Sequence, residues 1–434
     1  MPPIINFAEN FIMLEISYLR NHADEAVLGL RKRGLEAEQA IADILKLDEL
    51  RRQNQNDLDN TLAESNKLSK EIGGLFKEGK REEAEQMKAR TAELKERVKE
   101  LQQEQEQLKN SLDQDLVALP NVPIDIVPAG AHAEDNEEVS RHGDFPDLEK
   151  HAKPHWEIAE AHKLIRFDLG VKITGAGFPV YQGKGARLQR ALINFFLEEN
   201  IAAGFEEYQP PLMVNEASGF GTGQLPDKEG QMYHITEDDL YAIPTAEVPI
   251  TNIFRDEIID PNDLPVKATA HSACFRREAG SYGKDVRGLN RLHQFDKVEI
   301  VSLTKPEDSM AMLDEMVDHV ASLLQKLELP YRILRLCGGD MGFTSSITYD
   351  FEVWSAAQER WLEVSSVSNF QTFQTNRMKI RYRGEDKKTH LLHSLNGSAL
   401  ALPRILAALL ENNQTANGIK IPEVLHRFTG FETI

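Results

Sequence analysis

Cysteine is nearly missing: Cys274 and Cys337 are the only two in 434 residues. Two thiols exclude a disulfide framework and a four-cysteine zinc site. They fit a reducing cytosol, so a cytoplasmic location is expected. Long apolar runs are missing as well. The most apolar stretch, residues 399–410, is interrupted by Pro403 and Arg404. It is too short to cross a bilayer, and no membrane partner is expected. The N-terminus carries no basic region ahead of an apolar run, so no secretory signal is expected. Excess positive charge is absent: 50 Lys and Arg face 70 Asp and Glu, a net of −20. That excludes a uniformly basic nucleic-acid binder, which needs cations in surplus to displace counterions from phosphates. A local basic patch is not excluded. No glycine-rich loop ending in Lys-Ser/Thr occurs, which excludes a P-loop. If a nucleotide binds, side chains must hold its phosphates.

What remains is ample for folding. Hydrophobic residues make up 41% of the chain and charged ones 28%. The length suggests two to four domains. Proline is absent between Pro3 and Pro120, and in that interval two heptad seams appear. The first runs Ile44, Leu47, Arg51, Asn54, Leu58, Thr61, Ser65, Leu68, Ile72. The second runs Ala84, Met87, Thr91, Leu94, Val98, Leu101, Gln105, Leu108, Leu112. Alternating steps of three and four keep one stripe facing a partner helix. Gly73, Gly74 and Gly79 between them are expected to end one helix and reverse the chain. The reading is an antiparallel helical hairpin, each arm at least about 30 residues and so about 45 Å long at 1.5 Å per residue. Residues 67–99 hold ten Lys or Arg and seven Asp or Glu, a surplus of three on an acidic chain. That suits a polyanion, although a scaffold coiled coil is the competing reading. Pro120, Pro123 and Pro128, then an acidic stretch, read as a linker over 119–150, with a second domain over 151–434.

The second domain carries candidates for chemistry. Residues 185–200 read as an amphipathic helix with Leu188, Leu192, Phe195 and Phe196 on one face. Short apolar runs at 266–275, 298–303, 349–354 and 361–367 read as strands of a mixed or antiparallel sheet. Phe275-Arg276-Arg277-Glu278 ends one strand, a loop covers 279–290, and Arg291 to Glu299 opens the next. An Arg at a strand end can fork to a phosphate, and Phe295 can stack on a base. Glu363-Val364-Ser365-Ser366 sets a carboxylate and a hydroxyl three apart. Two protein oxygens completed by phosphate oxygens are what Mg²⁺ takes. Residues 396–404 run from a strand into a helix that delivers Arg404. His151 and His155 flank Pro154 and read as loop residues, not as metal ligands.

In this order the segments resemble motifs 1, 2 and 3 of class II aminoacyl-tRNA synthetases: GFEEYQPPLM at 204–213, the Phe-Arg-x-Glu hairpin, and the helical Arg404. The helical arm, Thr245-Ala246-Glu247, GKDVRGLNRLHQF and the pair EVSS and NGSALA narrow the resemblance to the seryl-tRNA synthetase family. The resemblance implies an α+β fold: an antiparallel sheet with flanking helices, plus the N-terminal coiled-coil arm. It divides the chain into an extension over 1–12, a tRNA-binding arm over 13–118, the linker, and the catalytic domain. It implies that L-serine is activated with ATP and transferred to tRNA(Ser), and to tRNA(Sec) where that tRNA exists.

Residue by residue, the resemblance puts Arg276, Glu363 and Arg404 in catalysis. The ATP site comprises Arg276, Arg277, Glu278, Arg291, Phe295, Glu363, Val364, Ser365, Ser366 and Arg404. Arg276 holds the α-phosphate and the serine carboxylate, and Glu278 reads the adenine amino group. Phe295 and Arg404 cover the two faces of the ring, and Arg291 reaches the γ-phosphate. Glu363 and Ser366 hold Mg²⁺. Thr245, Ala246, Glu247, Arg276, Glu299 and Ser398 line the serine site, with Glu299 on the ammonium group. Lys77, Lys80 and Arg81 meet the tRNA, and Pro211 lies at a homodimer interface. Arg277 and Pro403 stand where the family has a small residue and a glycine. A carrier-protein activator would lack the long arm. A non-catalytic relative would be expected to lose Arg276, Glu278, Glu363 or Arg404.

Overall fold

The computed structural model describes residues 14–148, 152–227, 230–278 and 287–434. The extension over 1–12, the domain start at His151 and residues 279–286 of the motif 2 loop lie outside the described residues. The chain forms two compact units, one from the residues up to Leu28 together with Glu36–Pro120, the other from Gly29–Leu35 and Asn121–Ile434.

The first unit is a hairpin of α1 (Glu38–Lys77) and α2 (Arg81–Ala118). At 40 and 38 residues the helices are longer than the seams required, about 60 Å each at 1.5 Å per residue. Every position of both seams is buried or half-buried, and the residues between them are mostly exposed. Gln105 bonds Gln55 at 3.0 Å and Arg90 bonds Glu64 at 3.3 Å, so the helices run antiparallel. The glycine expectation needs correcting. Gly73 and Gly74 stay inside α1, and the chain reverses at Gly79, whose φ is +79°. Only a positive φ turns the chain sharply here; a helical glycine merely lowers local propensity. Asp48, which the seams skip, is fully buried and takes Arg20, Arg51 and Arg52 at 2.6, 2.9 and 3.1 Å.

The second unit is built on an eight-stranded sheet. Its strands are β1 (Glu137–His142), β2 (Glu206–Glu207), β3 (Val266–Phe275), β4 (Gln294–Thr304), β5 (Tyr331–Arg335), β6 (Ile347–Ser355), β7 (Arg360–Gln371) and β8 (His393–Ala401). Their order is β1-β5-β6-β7-β8-β4-β3-β2, antiparallel throughout except β2 against β3. The α+β fold expected from the sequence, an antiparallel sheet with flanking helices plus an N-terminal helical hairpin, is the fold observed. Helix α3 (Lys184–Ala202) packs Leu188, Leu192, Phe195 and Phe196 into the main core, as its periodicity requires. Further helices of this unit include α4 (Glu247–Asn252), α5 (Ser309–Lys326), α6 (Phe373–Met378) and α7 (Leu402–Asn412). Pro403 sits in the first turn of α7, where a missing N–H leaves no bond unmade.

The stretch read as a linker is structured. Asn121 is buried and donates to Thr344 O and Phe370 O, both at 2.8 Å. Strand β1 lies within it and pairs with β5 at the sheet edge. Its sequence EEVSRH is exposed on nearly every residue, so it shows none of the apolar alternation by which a strand is recognised. His155 is likewise not in a loop: it opens the helix His155–Ala161 and is fully buried.

Candidate active site

A cavity of about 650 Å³ opens on one face of the sheet, lined from the β3–β4 connection, β4, β6, β7, β8 and the start of α7. The β3–β4 hairpin supplies its first wall. The two strands pair without a slip from Val266 opposite Leu303 to Phe275 opposite Gln294. Arg276 extends the pairing by one bond, its backbone N donating to His293 O at 2.9 Å. Its guanidinium lies over the Phe295 ring at 5.2 Å and donates to Pro244 O at 3.4 Å. Glu278 adopts a φ of +49° and accepts from Arg291 Nη1 at 3.3 Å. These four residues all line the cavity.

Arg277 does not. Its guanidinium sits 5.9 Å from the Tyr233 ring, outside the lining. Consecutive residues of an extended chain point to opposite sides, so Arg276 and Arg277 cannot both face inward. Ala246 is also absent from the wall: it is fully buried in a small apolar cluster with Ile250, Ala268, Ala270 and Val301.

The opposite wall depends on a β-bulge. On an unbroken strand, Glu363 and Ser366 would face opposite sides. The ladder pairs Asp350 with Ser366 and Phe351 with Ser365, then Glu352 with Glu363, leaving Val364 unmatched. One extra residue shifts the phase, so Glu363 and Ser366 share a face with Asp350. Glu363, Val364, Ser365 and Ser366 all line the cavity, but the Ser365 hydroxyl is spent on Ser398 O at 2.6 Å. Arg404 donates to the Glu363 backbone O at 2.6 Å and to Asn290 O at 3.3 Å, tying the two walls together.

Asp350 has no counterpart in the sequence reading. Its Oδ1 is buried and has no hydrogen-bond partner among the described residues. Burial, with the Glu363 charge behind it, holds its carboxyl well above the usual range. Among the described residues no group of three or more His, Cys, Asp or Glu could hold a metal ion alone. Asp350, Glu363 and Ser366 share one face, and two carboxylates with a hydroxyl are oxygen donors of the kind a hard cation such as Mg²⁺ takes.

The deeper end is a polar nest. Glu299 is fully buried. Its Oε2 meets Lys297 Nζ at 2.6 Å and Thr245 Oγ1 at 3.1 Å, and its Oε1 accepts from Asn396 Nδ2 at 3.2 Å. Glu247, buried on α4, accepts from Gln374 Nε2 at 2.7 Å, and Gln374 Oε1 accepts from Ser394 Oγ at 2.8 Å. Ser398 lies opposite Glu299 on β8. Sequence reasoning missed Lys297, Asn396 and Gln374. Lys297 was accessible, because it stands two before Glu299 on one strand and so shares its face. Gln374 comes from a helix 127 residues away, and no spacing announces it.

Desolvation, then repulsion from Glu299, pushes the Glu247 carboxyl up to about 7. The folded state thus binds its proton more tightly than the unfolded chain does. Stability from this group is present below the ordinary carboxylate value and is lost as pH rises towards 7. Glu247→Gln keeps an acceptor for Gln374 and removes the ionisation. The wild type should lose thermal stability between pH 5 and 8 more steeply than this variant, as melting curves across that range would reveal. Equal slopes would remove Glu247 as the titrating group.

Comparison with known proteins places these features. Residues 13–123 match the seryl-tRNA synthetase N-terminal domain, and residues 232–413 match the tRNA synthetase class II core domain (G, H, P, S and T). The serine–tRNA ligase of Salinibacter ruber is 51% identical over 424 residues, covering 97% of this chain and 99% of that protein. That of Chlorobium chlorochromatii is 46% identical, covering 97% and 100%. The crystal structure of seryl-tRNA synthetase from Pyrococcus horikoshii complexed with ATP superposes with a TM-score of 0.92 at 35% identity, covering 97% and 99%.

Proposed function

The chain belongs to the seryl-tRNA synthetase family, and from that premise we propose how its residues divide the work of a serine–tRNA ligase. One observation carries the assignment: a single cavity joins the cationic hairpin of Arg276 and Arg291 to the buried polar nest around Glu299. ATP lies along the first part, with adenine beside Phe295, Glu278 and Arg404. Serine occupies the second, its ammonium group near Glu299 and Glu247 and its carboxylate turned to Arg276. Thr245 and Ser398 supply hydroxyls there.

The reaction needs no covalent enzyme intermediate. A serine carboxylate oxygen attacks the α-phosphorus, the bond to the bridging oxygen breaks, and pyrophosphate leaves with that electron pair. Seryl adenylate remains. Catalysis is positioning plus stabilisation of charge on the phosphoryl oxygens, by Arg276 at the α-phosphate and Arg291 towards the γ-phosphate. Glu363, Ser366 and Asp350 would hold Mg²⁺, which when bound offsets phosphate charge. The terminal ribose hydroxyl of tRNA(Ser) then attacks the seryl carbonyl and displaces AMP.

Amino-acid-dependent ATP–pyrophosphate exchange across the twenty amino acids tests this reading. Exchange should appear with serine; preference for another amino acid, or none, would sink it. Charging assays with tRNA(Ser) and tRNA(Sec) define the acceptors. A homodimer is part of the proposal: Pro211, Leu212 and Met213 are all exposed beside the edge strand β2, an apolar run that a second copy would cover. Among the described residues no helix is long and apolar enough to cross a membrane, and both cysteines are free and buried. Both facts accord with a cytoplasmic enzyme.

The arm is the tRNA contact in this reading. Lys77, Lys80 and Arg81 surround the hairpin turn and are all exposed. Replacing all three with Ala should lower the slope of log affinity against log salt by up to about three charges' worth. It should raise the tRNA KM more than it lowers kcat, since remote contacts supply ground-state binding. Pyrophosphate exchange should be unchanged. Unimpaired charging would discard the arm as the tRNA contact and favour a scaffold role.

A further inference from the structure

His155 and Glu411 lie outside the cavity, and the reaction as described uses neither. Both side chains are fully buried, and His155 Nδ1 lies 2.7 Å from Glu411 Oε1. A buried pair of this kind is unfavourable unless its remaining polar atoms are met. Here they are met. The Leu289 backbone N–H donates to His155 Nε2 at 2.9 Å. A donor there requires a lone pair on Nε2, so the ring proton sits on Nδ1 and is donated to Glu411. Glu411 also accepts from the His155 backbone N at 2.9 Å, from Ser355 Oγ, and from Gln358 Nε2 at 2.9 Å. Gln358 Oε1 in turn accepts from Asn290 Nδ2 at 3.2 Å.

Both branches from Glu411 thus end on consecutive residues, Leu289 and Asn290. Asn290 O accepts from Arg404 Nε at 3.3 Å, and Arg291 is the next residue along the chain. Gly288 seats the ring against the backbone: its φ is +72°, and a Cβ there would approach His155 Nε2 to 2.2 Å. An apolar pair could fill the same volume. It could not hold a particular backbone N–H, which is what sets the register of this limb relative to α7.

We propose that His155 and Glu411 are positioning residues for the nucleotide half of the cavity, fixing residues 288–290 and through them the placement of Arg404 and Arg291. The inference rests on reading those two arginines as ATP ligands. The serine nest around Glu299 makes no bond to this network among the described residues, so the two substrates should respond differently to its loss.

Two substitutions at one site separate positioning from packing. His155→Asn keeps a donor near Nδ1 for Glu411 but withdraws the acceptor from Leu289. His155→Gln places an amide oxygen near Nε2, keeping that acceptor, and gives up the donor. In serine-dependent pyrophosphate exchange, His155→Asn should raise the ATP KM about tenfold while the serine KM stays within about twofold. His155→Gln should recover most of the ATP affinity. Gln358→Leu, which cuts only the branch to Asn290, should raise the ATP KM a few-fold, and it decides the matter if the His155 variants do not fold. An unmoved ATP KM in the variants that fold overturns the proposal, as does an equal rise in both KM values, the signature of a packing defect. Wild-type protein without serine-dependent exchange would overturn the parent reading and this inference with it. Normal exchange with unmoved variants overturns the inference alone.

Discussion

Arg276→Ala should slow seryl adenylate formation by about 10²–10³-fold, the scale of losing one preorganised donor aimed at developing charge. The guanidinium is unusually available for that task. It faces the cavity, its one side-chain hydrogen bond among the described residues is a long one to Pro244 O, and there it pairs with no carboxylate. Its backbone is clamped to β4 through His293, so the side chain starts from a fixed base. The loss should fall mainly on kcat, with a smaller rise in the KM values for serine and ATP, because Arg276 already meets the serine carboxylate and the α-phosphate in the ground state and holds the phosphoryl oxygens most tightly in the transition state. Arg276→Lys should recover part of the rate, since a point charge replaces a planar fork. Pyrophosphate exchange near the wild-type rate in folded Arg276→Ala protein would remove the residue from the mechanism. The Phe295 ring beneath it offers an internal control. Phe295→Leu should weaken ATP binding while leaving the phosphate chemistry comparatively intact.

Serine should be preferred to alanine by about 10⁴-fold in the same exchange reaction, because a site built to bond a hydroxyl leaves its own groups unpaired when the hydroxyl is missing. The nest is polar on every side: Thr245, Glu247, Glu299, Asn396 and Ser398 all line the cavity. Each is buried or half-buried, so a lost partner cannot be replaced by bulk water at little expense. Threonine is a different problem, since it retains the hydroxyl and must be refused by a wall against its extra methyl. Comparable exchange rates with alanine and serine would sink the assignment of this end of the cavity. Discrimination should also weaken in Thr245→Val, which keeps the volume but removes the hydroxyl that donates to Glu299.

The two halves of the molecule differ in how openly the sequence announces them. The arm was legible almost residue by residue. Its seam residues are three or four apart and meet one neighbouring helix, so periodicity contains the packing. The strands β3, β4, β6 and β7 were located by their apolar runs, and the position of each end was off by only a few residues. Strand β1 escaped because a strand at a sheet edge, wet on both faces, has no apolar pattern to show. Three nearby glycines have equal claim to the hairpin turn in the sequence, and Gly79 is the one that adopts a positive φ there.

At the site, the sequence by itself determined which chemistry was on offer: strand-end cations without a P-loop, a carboxylate and hydroxyl three apart, and an arginine carried on a helix after Pro403. The rule of strand faces sets Arg276 and Arg277 on opposite sides, yet the resemblance put both in the ATP site, and the cavity keeps only Arg276. Only the tertiary structure decided how those groups meet. The Val364 bulge reverses the phase that brings Glu363 and Ser366 to one face. Gln374 reaches Glu247 from 127 residues away, and His155 reaches Glu411 from 256. The reason is physical. Periodicity records interactions between residues that are neighbours along the chain or across one regular seam. Bulges, cross-sheet carboxylate nests and buried dyads depend on register between distant segments, which is set by how the whole core packs and leaves no repeat in the sequence.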